Sequence, residues 1–287
     1  MHHTDIHHIA VIGAGTMGAG IAQLAAQHGY QTLLYDVNRD VLATAHERIS
    51  YFINRLAEKG KLSHDEAAQS IARLRVSSDL DDAATAQFVV EAAPERIELK
   101  QRIFKDLEAR LSDEAILASN TSTLSVSEIA AATDHPERVV GMHFFNPPAL
   151  MPLVEVVAGS ESSEQVVETT IALAKALGKR PVRTQDTPGF IVNRVARPFH
   201  LEGLRLLEEG VADIETIDRI YREAGGFRMG PFELQDLIGI DINYAASQSV
   251  YEAFDHAPRF EPSERQRQQV ASGHLGKKTG RGWYGDE

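Results

Sequence analysis

The sequence predicts an α/β protein: a mostly parallel sheet with an inserted helical hairpin, followed by an all-helical C-terminal domain. Three observations predict it. Short β-rich runs alternate with helical stretches up to residue 185. Runs such as Phe88-Val89-Val90 are continuously apolar, as strands covered by helices on both faces must be. Beyond Asp186 the β-type runs stop and helical spacing takes over.

The strands are expected at residues 8–12, 31–35, 74–76, 88–91, 116–119, 139–144, 153–157 and 181–184. The hairpin is expected between the second and third of them. Val41, Ala45, Ile49, Phe52, Ile53 and Leu56 recur at helical spacing and give a helix one buried face. A Lys59-Gly60-Lys61 turn follows, and Ser63 with Glu66 reads as a capping box that opens a second helix. The hairpin is longer than a crossover needs, so it is either a decoration or a clamp over a ligand. Helices are then expected over 189–209, 213–224, 231–238 and 241–254. Pro231 suits a first helical turn, and Pro198 predicts a kink. The domain boundary is set at 185/186, giving domains 1–185 and 186–287.

Composition excludes several classes. With 43% hydrophobic and 24% charged residues the chain is neither disordered nor fibrous. A formal net charge of −12 argues against a nucleic-acid or anionic-membrane binder. There is no cysteine, which removes disulfides, thiolate nucleophiles and Cys-ligated zinc. No basic-then-apolar leader and no run of about 18 apolar residues is present, so the expectation is a soluble, cytoplasmic protein without a metal.

The chemistry begins at the end of the first strand. In Gly13-Ala14-Gly15-Thr16-Met17-Gly18, Gly13 permits a tight turn, Gly15 lets backbone approach a pyrophosphate, and Gly18 lets helix and strand pack closely. The helix that follows offers its N–H groups to phosphate. The second strand closes on Asp36, placed to accept a ribose 2′-hydroxyl and to repel a 2′-phosphate. This is a Rossmann-like pattern, and NAD is preferred over NADP. Arg39, three residues on, is the one feature pulling the other way.

Three further clusters sit where such a sheet binds ligands. Ser119-Asn120-Thr121-Ser122-Thr123 follows the fifth strand, as a ligand-lining loop or a helix-capping turn. His143, in His143-Phe144-Phe145-Asn146-Pro147-Pro148, is the candidate base, because oxidising an alcohol needs a proton acceptor that titrates near neutrality. Glu155 lies in the apolar run Leu153-Val154-Glu155-Val156-Val157, so it requires a partner. That partner is either an imidazole or an arginine. Asn193, in Asp186-Thr187-Pro188-Gly189-Phe190-Ile191-Val192-Asn193-Arg194, falls early in the second domain, where it could reach a ligand held by the first.

These segments together resemble the short-chain L-3-hydroxyacyl-CoA dehydrogenase family, especially bacterial 3-hydroxybutyryl-CoA dehydrogenases. The likeness runs through VIGAGTMGAGIAQ, SNTSTL, HFFNPP, LVEVV, LGKRPV, DTPGFIVNR, MGPFEL and GKKTGRGWY. It implies NAD-dependent interconversion of an L-3-hydroxyacyl-CoA and its 3-oxoacyl-CoA, as in fatty acid metabolism. By this resemblance His143 is the catalytic base and Glu155 its paired acid, while Ser122 and Asn193 lie near the substrate hydroxyl and thioester. Asp36 is the ribose contact. Glu95, Lys100, Ser122, Asn146 and Lys278 surround the nicotinamide half of the cofactor.

The resemblance also implies that the hairpin holds the CoA nucleotide, through a serine and a lysine in relatives. Here those positions are Phe52 and Lys59, with Lys61 adjacent, so charge is expected to dominate. Pro152 stands where many relatives carry lysine. The partners implied are an acyl-CoA thioester and a second copy bound through the helical domain. Two other readings remain at this stage: a dehydrogenase of a free hydroxy or sugar acid, and a non-catalytic NAD-binding protein on the same fold.

Overall fold

The computed structural model describes residues 2–285; Met1, Asp286 and Glu287, two of which close the second domain as read from the sequence, lie outside the described residues. The chain forms two compact units, residues 1–187 and 188–287.

In the N-terminal unit the strands are β1 (His8–Ile12), β2 (Gln31–Tyr35), β3 (Leu74–Ser77), β4 (Phe88–Glu91), β5 (Ile116–Ser119), β6 (Val139–Phe144), β7 (Leu153–Ala158) and β8 (Arg180–Gln185). They form one sheet in the order β3-β2-β1-β4-β5-β6-β7-β8. Pairing is parallel up to β6, antiparallel between β6 and β7, and parallel again between β7 and β8. The first three strands build outward from β1 on one side, and β4 returns on the other. That reversal is the switch point where an open α/β sheet leaves a crevice at its carboxyl edge. β4, β5 and β6 are buried at every position, as their largely apolar runs require, and that includes Glu91, Ser119 and His143. The edge strand β8 instead exposes Arg180 and Arg183, charges that discourage edge-to-edge association.

The helices of this unit are α1 (Thr16–Gln27), α2 (Arg39–Glu58), α3 (His64–Ala72), α4 (Ile97–Glu108), α5 (Val126–Ala130) and α6 (Glu164–Ala176). The inserted hairpin is α2 and α3. Asn38 caps α2 by accepting from the amides of Asp40 and Val41, and α2 buries Leu42, Ala45, Ile49, Ile53 and Ala57. Ser63 and Glu66 form the capping box of α3: the Ser63 hydroxyl accepts from the Glu66 amide at 3.1 Å, and Glu66 accepts from the Ser63 amide at 2.8 Å. The opposite face of α2 leaves Tyr51 and Phe52 exposed, their rings edge-on at 5.5 Å.

The C-terminal unit contains α7 (Val192–Glu208), α8 (Ile214–Glu223), α9 (Pro231–Ile238), α10 (Ile240–Ala253) and α11 (Glu264–Ala271). α7 runs through Pro198 as one continuous helix. Pro231 occupies the first turn of α9, where its missing N–H is not needed. The apolar centre is small: Leu201, Leu204, Ile217 and Phe232, with Trp283 and Tyr284 packed against them. Polar residues fill the remainder. Arg197 donates to the Asn243 carbonyl at 2.8 Å and the Ser247 hydroxyl at 3.0 Å, and the Gln266 amide donates to both Gln235 and Asn243. Asp218 caps α9, accepting from the amides of Phe232 and Glu233 and from the Tyr284 hydroxyl. Among the described residues no helix is long and apolar enough to cross a membrane.

Candidate active site

The carboxyl edge of the N-terminal sheet gathers most of the residues singled out by sequence. After β1 the chain turns through Gly13 at φ 103°, a conformation that excludes a side chain. A Cβ there would also lie 2.7 Å from the Ala92 carbonyl oxygen, so the turn after β1 packs directly on the turn after β4. At Gly18 a Cβ would fall 1.7 Å from the Gly13 carbonyl, which fixes the close packing of α1 on its own loop. Gly15 differs: nothing lies within 4 Å of where its Cβ would be, and no side chain caps α1. A closed loop, an open middle glycine and an uncapped helix N-terminus suit a dinucleotide pyrophosphate. Thr16 is exposed in the first turn of α1, and Met17 packs against the core.

Asp36 follows β2 and accepts from the Ala14 amide at 2.8 Å and the Asn38 amide at 2.9 Å. A carboxylate has about four acceptor sites, so two are left for a ribose diol. Beside the glycine loop a cleft of about 320 Å³ is lined by Ala14, Gly15, Thr16, Val41, Thr44 and Arg48 among others. It joins the N-terminal end of α1 to the face of α2 that carries Val41, Thr44 and Arg48. Lys59 and Lys61 are exposed at the hairpin tip.

The antiparallel pairing of β6 with β7 sets His143 directly opposite Glu155. The two side chains meet at 2.8 Å, His143 Nδ1 to Glu155 Oε2, with both residues buried. The carboxylate can only accept, so Nδ1 carries the hydrogen and Nε2 is the basic nitrogen. Of the two partners the sequence left open for Glu155, the structure places the imidazole. Phe145 packs on the imidazole with ring centroids 4.5 Å apart.

Ser122 lies in the loop after β5, and Glu95 lies in the loop after β4. One oxygen of Glu95 accepts from the hydroxyls of Thr121 (2.7 Å), Ser122 (3.2 Å) and Thr123 (3.2 Å) and from the amides of Ser122 (2.8 Å) and Thr123 (3.1 Å). Burial opposes its ionisation, but the Lys100 ammonium and these donors outweigh burial and hold the carboxyl below its usual range.

Lys100, expected near the cofactor, is 1% exposed, and its ammonium contacts Glu91 at 2.7 and 2.9 Å, the Ala93 carbonyl at 3.3 Å and Glu95 at 3.4 Å. A buried ammonium must be neutralised locally, and the Glu91 carboxylate, itself buried, takes it.

In the C-terminal unit Asn193 stands in the first turn of α7, its carbonyl accepting from Arg197 at 3.3 Å. The preceding Gly189 and Phe190 have φ of 72° and 48°, and a buried phenylalanine in that region marks a locally imposed conformation. Lys278 pairs with Asp241 at 2.5 Å in the same unit. Burial opposes ionisation of Asp241, but its bond to Lys278 is among the contacts that hold it below the usual carboxylate range. Asn146 is exposed in the loop that leaves β6.

Three polar residues of the N-terminal unit make contacts that the sequence did not assign to them. Asn120 accepts from the Phe144 amide at 2.8 Å, tying the loop after β5 to the residue next to His143. Asp186 accepts from the Ser125 hydroxyl and the amides of Val126 and Ser127, capping α5. Lys179, buried, donates to the carbonyls of Pro148 and Met151 at 2.6 and 3.0 Å and so ties down the loop between β6 and β7; burial lowers its pKa. Each is a polar residue whose partner lies on a different element, which no local pattern records.

Known proteins match both units. Residues 8–187 match the NAD binding domain of 3-hydroxyacyl-CoA dehydrogenase, and residues 189–286 match its C-terminal domain. The chain is 47% identical over 280 residues to a 3-hydroxyadipyl-CoA dehydrogenase of Escherichia coli K12; the match covers 98% of this chain but only 59% of that longer protein. It is 40% identical to a probable 3-hydroxybutyryl-CoA dehydrogenase of Bacillus subtilis 168, covering 98% of this chain and 97% of the relative. Among solved structures, (S)-3-hydroxybutyryl-CoA dehydrogenase from Ralstonia eutropha superposes with a TM-score of 0.94 at 37% identity, covering 99% of this chain and 100% of the other.

Proposed function

The chain belongs to the 3-hydroxyacyl-CoA dehydrogenase family, and from that premise we propose that it interconverts an L-3-hydroxyacyl-CoA, with 3-hydroxybutyryl-CoA as the leading substrate, and the corresponding 3-oxoacyl-CoA. The observation that carries this reading is the buried His143–Glu155 pair on the same sheet edge as the dinucleotide loop. NAD, held by the glycine loop and Asp36, would supply the acceptor for the hydride of substrate C3. His143 Nε2 takes the proton of the C3 hydroxyl. Glu155 keeps Nδ1 as the donor and balances the imidazolium that forms. Ser122 and Asn193 position the hydroxyl and thioester ends of the acyl group, so that proton and hydride leave in one geometry.

The same reading gives Asp36 the adenosine ribose, and Gly13, Gly15, Thr16, Met17 and Gly18 the pyrophosphate. Glu95, Ser122, Asn146 and Lys278 belong to the nicotinamide half. Lys59 and Lys61, with Arg48 and the exposed face of α2, serve the CoA phosphates. The exposed Ile220, Phe227, Leu237, Ile238 and Ile242 of the C-terminal unit favour a homodimer formed through it.

The test is oxidation of NADH in the presence of acetoacetyl-CoA, acetoacetate or neither. Turnover confined to the thioester supports the reading. Turnover of the free acid at a comparable kcat/KM would instead make this a hydroxy-acid dehydrogenase, and NADH binding without turnover of either would make it non-catalytic.

A further inference from the structure

Because β7 runs against β6 and β8 runs with β7, both begin at the edge where β1 to β6 end. Lys179 immediately precedes β8 and so stands at the same edge as the dinucleotide loop. Its backbone is fixed: the Lys179 amide donates to the Ala174 carbonyl at 2.9 Å, and the next amide, Arg180, donates to the Pro152 carbonyl at 2.7 Å. Its buried ammonium donates to the carbonyls of Pro148 and Met151 and has no carboxylate partner among the described residues. The segment it holds is a tight turn, in which the Pro147 carbonyl accepts from the amides of Leu150 and Met151. On the other side Pro148 is buried against α1, where a Cβ on Gly20 would lie 2.8 Å from the Pro148 ring.

We propose that Lys179 is a positioning residue for the cofactor: it fixes the turn 147–151 against α1 and so sets Asn146, the residue just ahead of that turn. This rests on the reading of Asn146 as a contact of the nicotinamide half. A buried ammonium loses its hydration, and two carbonyls return less than a carboxylate would. An apolar side chain would fill the same space without that loss, but it would leave both carbonyls unpaired. What the lysine adds is therefore geometric: it draws two carbonyls, three residues apart, onto one point and closes the turn. Asn146 is exposed and joins this turn directly, whereas His143 is held by the pairing of β6 with β7. Loosening the turn thus reaches the asparagine without displacing the base.

The experiment is a double-mutant cycle of Lys179→Met and Asn146→Ala, read by NADH binding and by amide exchange in the ligand-free protein. Methionine nearly keeps the length of the side chain and removes its charge and donors. Lys179→Met is expected to raise exchange at the Leu150 and Met151 amides about tenfold and to weaken NADH binding about tenfold. In the Asn146→Ala background the same change should leave NADH affinity unaltered. A merely structural lysine would not show that dependence on Asn146.

Equal NADH losses in the two backgrounds, or raised exchange with NADH affinity unaltered, would overturn the proposal. Should Lys179→Met not fold, Lys179→Gln, which keeps N–H donors without the charge, goes through the same cycle. There too an NADH loss that needs Asn146 supports the proposal, and any other result overturns it. NADH affinity unaltered by Asn146→Ala alone would refute the reading of Asn146 and the proposal with it. Absence of acyl-CoA turnover in the unmodified protein would count against the proposed function alone, since neither readout here depends on turnover.

Discussion

In the N-terminal unit the interior is largely apolar, and six of its buried polar groups, Glu91, Lys100, Ser119, Thr121, His143 and Glu155, lie at one edge of the sheet. In the C-terminal unit polar side chains share the interior with apolar ones: Arg197, His200, Asp218, Gln235, Asn243, Ser247 and Gln266 are buried beside Leu201, Leu204, Phe232, Ile240, Val250 and Phe260. The first arrangement concentrates desolvated charge at the edge proposed to take the ligands. The second threads hydrogen-bonded polar side chains between the apolar ones of a unit of about 100 residues. The contrast implies that removing a buried polar group should damage turnover in one unit and stability in the other.

The largest effect tests the first half of that statement. His143→Gln should lower kcat by about 10²–10⁴, with the thermal midpoint nearly unchanged. Glu155→Gln should cost less, and the double variant little more than the worse single, because the two groups act as one unit. Strictly multiplicative losses in steady-state kinetics would separate them and leave Glu155 with a structural role alone.

Next comes Asp218→Leu, which strips three donors of their acceptor. Urea unfolding followed by the single tryptophan, Trp283, which packs on Phe232 in this unit, should show a loss of about 3–5 kcal/mol. A loss below about 1 kcal/mol would mean that the polar interior is not what holds this unit together.

A pH scan is the third and smaller test. Burial, helped by the Arg197 charge, pushes His200 down to about 3, against a normal value near 6.5. The folded form therefore keeps His200 neutral while the unfolded chain takes up a proton below about pH 6.5. This contribution is complete above that pH and is lost as pH falls toward 3, by about 1.4 kcal/mol per pH unit. Replacing His200 with Phe should flatten the acid limb of the Trp283 transition; an unchanged limb would assign it to other groups.

The smallest effect lies in the hairpin. Ser63→Ala removes the cap of α3 and should cost about 1 kcal/mol, read from the thermal midpoint, with kcat unchanged.

The same contrast explains how far the sequence could be read. The strands fall where the sequence placed them, most of them on apolar runs, and the hairpin followed from helical spacing and the Ser63–Glu66 box; of that spacing Ala45, Ile49 and Ile53 are buried, whereas Val41 and Phe52 are exposed. α11 was invisible, because Glu264–Ala271 has almost no apolar face and its buried side chain is Gln266. The glycine loop and His143 were legible because each forms a compact motif at a strand end. Glu91 was not: it closes an apolar strand, and its partner sits nine residues away on another element. Lys100 was placed near the cofactor by resemblance alone, which gave no sign of its buried contact with Glu91.

The reversal between β6 and β7 carries one further consequence. His143 and Glu155 are neighbours through the sheet register, a property of the two strands and not of the residues 145–152 that connect them. The far part of that connection, Leu150, Met151 and Pro152, is exposed and can therefore change while the pair stays in register. Substitutions there should leave kcat nearly constant, and a large fall in kcat would show that the connection, and not the register, holds the pair.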